Sequence, residues 1–234
     1  MLEIIHDYWL LLLVGQFPNG PLGGLAMTLI LAVGGISLAF PCSILIALAL
    51  TSPFRYLRLL AQFFVYVVRG VPLLMFIFWA YFAIPALFGS SVPGVITMLF
   101  ALVIYESVYL AEVIRGAIEA LPYGQTEAAR AMGLTHLQTQ KIVILPQALY
   151  NALPSILSQF ISTIKETSLG YVISVNELTF AANQVNSILL THPFDVYFLL
   201  AMIYFTLCLI LTTAVRALEL RVEASRKSLR ANLT

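Results

Sequence analysis

Four ionisable side chains, Arg69, Glu106, Lys165 and Glu166, stand inside stretches that are otherwise almost wholly apolar. An ionisable group at the centre of a bilayer costs about 2.5–3.5 kcal/mol on insertion scales, and such groups mark a pathway or pair with one another. Their chemistry is that of holding a ligand rather than making or breaking bonds. The Arg69 guanidinium can pair a carboxylate through two parallel hydrogen bonds, while Glu106 and Glu166 can hold an ammonium group. Gly70 and Pro72 follow Arg69 closely, so the helix must break there and free backbone groups, as in the interrupted helices that bind substrates in transporters. A structural ion pair between helices would use the same residues, and the residue types alone leave both readings open.

Other chemistries are poorly served. Cys42 and Cys208 fall inside apolar runs without redox or metal spacing and read as small apolar groups. His6, His136 and His192 are scattered and lack the spacing of a metal site. The chain has no Gly-x-x-x-x-Gly-Lys-Ser/Thr loop, the cradle for nucleotide phosphates. No metal, no cofactor and no nucleic acid is therefore expected on this chain, and any energy must come from a partner.

The elements that position these residues follow from composition. Hydrophobic residues make up 61% of the 234 and charged residues 10%, with a mean hydropathy of +0.96, against roughly 25% charged in a soluble domain. In lipid, only helices or a closed barrel satisfy the backbone; the apolar runs are continuous rather than alternating, which selects helices. About 20 apolar residues cross the hydrocarbon core. Five spans are predicted, over residues 22–51, 56–84, 95–117, 147–173 and 194–218, several of them long enough to be tilted or broken. Counting 1.5 Å per residue, Arg69 lies roughly 20 Å into the second span and Glu106 near the same depth in the third. Residues 1–21 form a separate outer-side segment, since the apolar run from Tyr8 to Val14 is too short to span and lacks the basic leader of a signal peptide.

Ten basic residues, Arg55, Arg58, Arg115, Arg130, Lys141, Arg216, Arg221, Arg226, Lys227 and Arg230, fall on one side of this arrangement, and the connecting segments on the other side carry none. The positive-inside rule then predicts an outside N-terminus, a cytoplasmic loop over residues 122–146 and a cytoplasmic tail over residues 219–234. Trp9, Tyr56, Tyr171 and Tyr197 read as interfacial anchors. Gly34 and Gly35 suit close helix contact, and Pro41 suits a bend.

Within the cytoplasmic loop, Glu127 is expected near a helix start, at its positive end, with Ala128, Ala129 and Ala131 supplying propensity. Gly133 is placed to cap that helix, and Thr135 to cap a second one carrying His136. The result is two short helices joined by a hinge, which by itself is compatible with a plain amphipathic loop.

The spacing Glu127-Ala128-Ala129, Gly133, Val143-Ile144-Leu145-Pro146 resembles the EAA loop of ATP-binding-cassette importer permeases, with Val143 where the family usually has Ile. Arg69-Gly70-Val71-Pro72-Leu73-Leu74, Tyr109-Leu110-Ala111-Glu112-Val113-Ile114-Arg115-Gly116 and Lys165-Glu166-Thr167-Ser168-Leu169 are similar to the polar amino-acid group of those permeases, and the segment around Phe76 and Tyr105-Glu106-Ser107 looks most like the glutamate/aspartate branch. The resemblance implies an all-α integral membrane protein of the type I importer permease fold, with five transmembrane helices and a cytoplasmic coupling helix. It implies that Glu127, Ala128, Ala129, Arg130, Gly133, Leu134 and His136 dock on an ATPase subunit. The charges inside the spans and the helix break beside Arg69 lead to the expectation of a substrate pathway at Arg69, Gly70, Pro72, Glu106, Tyr109, Glu166, Thr167 and Ser168. The expected assembly, in a bacterial inner membrane, adds a second copy or homologous permease, two ATPase subunits holding ATP and Mg, and an extracytoplasmic amino-acid-binding protein. The permease itself would not be an enzyme. An ion-coupled secondary transporter or channel is the alternative, although it has no use for a docking helix.

Overall fold

Long apolar runs with no strand alternation leave each backbone N–H to bond within its own segment, and helices result almost throughout. In the computed structural model, residues 2–89 and 91–231 are described; the side chains of Leu2, Glu3, Phe88 and residues 221–231 lie outside that description, and with them the tail charges Arg221, Arg226, Lys227 and Arg230. The order is α1 (Leu2–Val14), α2 (Gly24–Leu50), α3 (Arg55–Arg69), α4 (Leu73–Phe88), α5 (Gly94–Glu119), α6 (Tyr123–Ala131) and α7 (His136–Gln138). A π-helical turn (Thr139–Ile144), α8 (Leu145–Glu166), a 3-10 segment (Thr167–Ile173), α9 (Leu178–Leu189) and α10 (Pro193–Ala231) complete it.

The core is built around α5. Its residues Met98, Ala101 and Leu102 pack with Leu31 of α2 and Ile77 of α4, Leu110 with Ala39 and with Ala152 of α8, and Val108 with Val65 and Val68 of α3. The expected close contact at the α2 glycines is present: a Cβ on Gly35 would stand 3.2 Å from Leu102 Cβ, and one on Gly34 3.3 Å from Leu99 Cδ1. The two flanks differ in kind. Half of the most apolar stretch of α5 is buried in the bundle but only 11% of that of α10, so α10 presents its apolar surface outward, where lipid is the matching solvent.

Three helices, Gly24–Leu50, Gly94–Glu119 and Pro193–Leu220, are long and apolar enough to cross a membrane, and α3 with α4, bent by 96° between them, makes a fourth if the pair is counted as one span. The break falls at Gly70, Val71 and Pro72, as the sequence predicts. Gly70 closes α3 through its N–H to Tyr66 O at 2.9 Å, and Pro72, with no N–H to give, precedes the first residue of α4. The remaining expected span, 147–173, is α8 followed by the 3-10 segment. Gln147, Asn151, Ser155, Gln159, Lys165 and Glu166 make α8 too polar to qualify as a span by apolarity, so the count of five goes beyond what length and hydropathy give.

The two ends of the bundle are distinct. At one, the turn after α2, the end of α5 and the α6–π region enclose a cavity of about 570 Å³ lined by Ser52, Arg58, Glu119, Tyr123, His136 and Gln140. At the other, α1 and α9 pack on α10 through Ile4, Leu12, Leu178, Val185 and Val196. There the Glu177 carboxylate caps α9, accepting from the N–H groups of Thr179 at 2.8 Å and Phe180 at 2.9 Å and from the Tyr204 hydroxyl at 3.2 Å. Thr28 Oγ1 on α2 accepts from Leu178 N–H at 3.1 Å.

Candidate functional site

One face of α5 gathers the polar groups of the interior. Tyr105, Tyr109 and Glu112 recur at four and three residues, so they stack along a single stripe, and Glu106 stands beside it. The Tyr105 and Tyr109 hydroxyls are 3.1 Å apart. Arg69, the last residue of α3, holds its guanidinium 5.5 Å from the centre of the Tyr109 ring, within the range of a cation–π contact, and 3.8 Å from Glu112 Oε2. Arg69, Gly70 and Glu112 border an open cavity of about 670 Å³. Of the residues the sequence singled out, Arg69, Gly70 and Tyr109 are therefore brought together, with Pro72 just beyond the bend.

Glu106 is fully buried. Glu166, Thr163 and Gln159 of α8 face it, yet Glu106 Oε1 and Oε2 and Glu166 Oε2 complete no hydrogen bond among the described residues. A buried carboxyl group that completes no hydrogen bond carries a desolvation penalty that the facing Thr163 and Gln159 only partly offset, and a pair of such groups is suited to receive an ammonium group. Thr167 and Ser168 are committed locally: their hydroxyls donate to Ile164 O at 2.7 Å and Lys165 O at 2.6 Å, which satisfies carbonyls where α8 tightens into the 3-10 turn. Lys165 points away from this cluster and is exposed.

Sequence reasoning passed over the charged ladder at the end of α5. Arg115 bonds Glu112 at 2.8 Å and Glu119 at 2.7 Å. The i, i+3 and i, i+4 spacing of Glu112, Arg115 and Glu119 was the available signal.

The hinged loop has the form expected of it, with one correction. The first helix begins at Tyr123, directly after Pro122, and carries no acidic residue in its first turn; Glu127 is mid-helix and gains nothing from the positive end. Pro122, with its fixed φ, is what starts this helix. Gly133 has φ +86°, a left-handed conformation that glycine adopts without strain. Thr135 and Gln138 form a reciprocal capping box. Ala129 is the residue of α6 that packs inward, while Glu127, Ala128 and Arg130 are exposed and Leu134 and His136 half-buried. Tyr123, Met132 and Leu137, exposed at 74%, 75% and 68%, add an apolar rim to this protrusion that the motif did not indicate.

Residues 39–224 match the family described as "Binding-protein-dependent transport system inner membrane component". The chain belongs to this family. As a member it is the membrane component of an ATP-binding-cassette transporter, a permease and not an enzyme, with the ATPase on a separate subunit. The permease is 36% identical over 87% of its length to the inner membrane amino-acid ABC transporter permease protein YhdY of Escherichia coli K12, and spans 57% of that longer protein. It is also 36% identical to the probable glutamine ABC transporter permease protein GlnP of Bacillus subtilis 168, with 85% of this chain and 91% of that one covered. Among solved structures, an amino acid ABC transporter crystallised with histidines superposes with a TM-score of 0.77 at 35% identity, covering 85% of the permease and 92% of that chain. The ion-coupled alternative finds no support among these relatives.

Proposed function

We infer that this permease conducts a polar amino acid, best matched by an acidic one, along the face of α5 that carries Tyr105, Glu106, Tyr109 and Glu112. The observation that carries this reading is the presence, against α5, of a loosely held guanidinium and a pair of buried carboxyl groups. The Arg69 guanidinium borders a roomy cavity with a contact of 3.8 Å to its nearest carboxylate, and the Glu106 and Glu166 oxygens lack donors. An amino acid offers a carboxylate to the first and an ammonium to the second. Relatives named for glutamate/aspartate, arginine and L-cystine are 33%, 31% and 32% identical, so similarity alone does not select the substrate. The loosely held guanidinium favours an anionic side chain, whereas the carboxyl pair would suit a cationic one.

In this reading the chain is a single transmembrane domain of five spans in a bacterial inner membrane, with residues 1–21 outside and residues 122–146 and the tail 219–234 in the cytoplasm. Arg58 and the exposed Arg130 and Lys141 at the α6 end support that orientation. Because one chain encloses half a pathway, it pairs with a second copy or a homologous permease. The α6 protrusion, with Glu127, Ala128, Arg130 and the Gly133 hinge, docks in each of two ATPase subunits that hold ATP and Mg. Their closure draws the two protrusions together and opens the pathway toward an extracytoplasmic binding protein, and hydrolysis reverses the movement. Reconstitution with the ATPase and binding protein in proteoliposomes, followed by competition of labelled glutamate uptake with unlabelled amino acids, tests the reading. Acidic amino acids should compete best; competition by arginine alone would reverse the assignment of charge.

A further inference from the structure

Glu112 holds a position between two arginines that it serves unequally. Its Oε2 lies 2.8 Å from Arg115 Nη2 and 3.8 Å from Arg69 Nη1, a hydrogen bond to the first and only an electrostatic contact with the second. Arg115 Nε also reaches Glu112 Oε2, at 3.3 Å, and its Nη1 is braced by both Glu119 oxygens at 2.8 and 2.7 Å. Glu112 is thus fixed from its own helix, whether or not Arg69 is near. Arg69 is held far less firmly: its side chain is 48% exposed, it stands where α3 ends, and it rests over the Tyr109 ring beside the open cavity it shares with Glu112, Gln62 and Tyr66.

We propose that Glu112 is a built-in competitor for Arg69, a resident carboxylate that the carboxylate of the transported amino acid displaces and that recovers the guanidinium when the substrate moves on. This rests on the function proposed above, since it requires Arg69 to meet substrate. A bidentate guanidinium–carboxylate pair is stronger than a partly exposed contact beyond hydrogen-bonding distance, so the exchange runs toward substrate. The Glu112 contact lowers the margin. That is what a conducting site needs, because binding must favour entry and still permit exit. The role belongs to a positioning residue: Glu112 acts by setting how tightly Arg69 can hold a carboxylate, and Arg115 and Glu119 keep it in place for each cycle.

The test uses the assembled permease–ATPase complex in detergent without binding protein, titrated with L-glutamate and with L-glutamate dimethyl ester, which has no free carboxylate. Glu112→Gln should bind L-glutamate several-fold more tightly than wild type, leave the ester unchanged and, in proteoliposomes with the binding protein, turn over more slowly. Glu112→Asp keeps a charge for Arg115 while retracting from Arg69, and should shift binding in the same direction by less; it carries the test if the glutamine variant fails to assemble. The gain should vanish in Arg69→Ala/Glu112→Gln. Unchanged or weaker L-glutamate binding in assembled Glu112 variants, or a gain that survives loss of Arg69, overturns the proposal. Arg69→Ala measured alone separates the two levels. If it impairs glutamate uptake while the Glu112 variants behave as wild type, only the competitor role falls; if it changes nothing, the pathway reading falls and the competitor role with it.

Discussion

Among the described residues two glutamates are completely buried, and their surroundings are opposite. Glu177, at the end of the bundle where α1, α9 and α10 meet, accepts from two backbone N–H groups and a tyrosine hydroxyl. Glu106, midway along α5, completes no hydrogen bond among the described residues, and the α8 side chains that face it, Thr163, Gln159 and Glu166, include a second carboxyl. A buried carboxylate with a full set of donors is part of the architecture, because removing it orphans every donor. One without donors carries a cost that the fold alone does not explain, and such residues point to a ligand or a partner. The difference teaches where in this chain stability and transport are separable.

The largest expected effect falls on the satisfied side. Glu177→Ala removes the α9 cap and leaves the Thr179 and Phe180 N–H groups without that acceptor, and should destabilise the folded chain by about 2–4 kcal/mol, read as a fall in the melting temperature of the purified complex. Glu106→Gln should leave that temperature unchanged or raise it, since a buried carboxylate with no donor is replaced by a neutral group of the same shape. A comparable loss in both variants would erase the distinction.

A smaller effect is a pH dependence at the Glu177 end. Burial is the largest influence on its carboxyl group and pushes its pKa from 4.5 up to about 7, against the lowering effect of the Thr179 and Phe180 N–H groups. An acid whose folded pKa is raised contributes stability that is present below the unfolded value and is lost as pH rises through the folded one. The melting temperature should therefore decline from about pH 4.5 to about pH 7, and Glu177→Gln should flatten that decline. An equal slope in wild type and Glu177→Gln would place the titrating group elsewhere.

The smallest expected effect concerns the α6 protrusion, which serves neither carboxylate. Gly133 has φ +86° and open space around a would-be Cβ, so Gly133→Val carries backbone strain of about 1–2 kcal/mol without a steric clash. Retention of the ATPase subunit on affinity purification should weaken several-fold while uptake of substrate per assembled complex keeps its selectivity. Undiminished retention would remove the hinge from the docking surface.

Much of this was legible from residue order, because the rules involved are local. Gly70 and Pro72 announce the break in the second span, Gly133 and Thr135 the hinge and cap, and long apolar runs the helices. Glu127 was misplaced because Pro122 starts the helix earlier than the acidic residue suggested. The unequal partners of Glu106 and Glu177 could not be read, since they depend on contacts between distant segments: Leu178 meets Thr28 across 150 residues, and Glu177 meets Tyr204 across 27. Glu106 stood out as a charge inside an apolar run and Glu177 did not, and only packing reveals which of them is fully capped.

The most direct test is uptake of labelled glutamate, aspartate, glutamine and arginine by proteoliposomes containing the permease, its ATPase subunits and its binding protein, comparing wild type with Arg69→Ala and Glu106→Gln after co-purification has verified assembly. The account predicts that both variants assemble, that Arg69→Ala loses acidic amino-acid uptake selectively, and that Glu106→Gln slows every substrate bearing an ammonium group. Unchanged rates and selectivity in both assembled variants would contradict it and reduce these charges to helix-pairing residues.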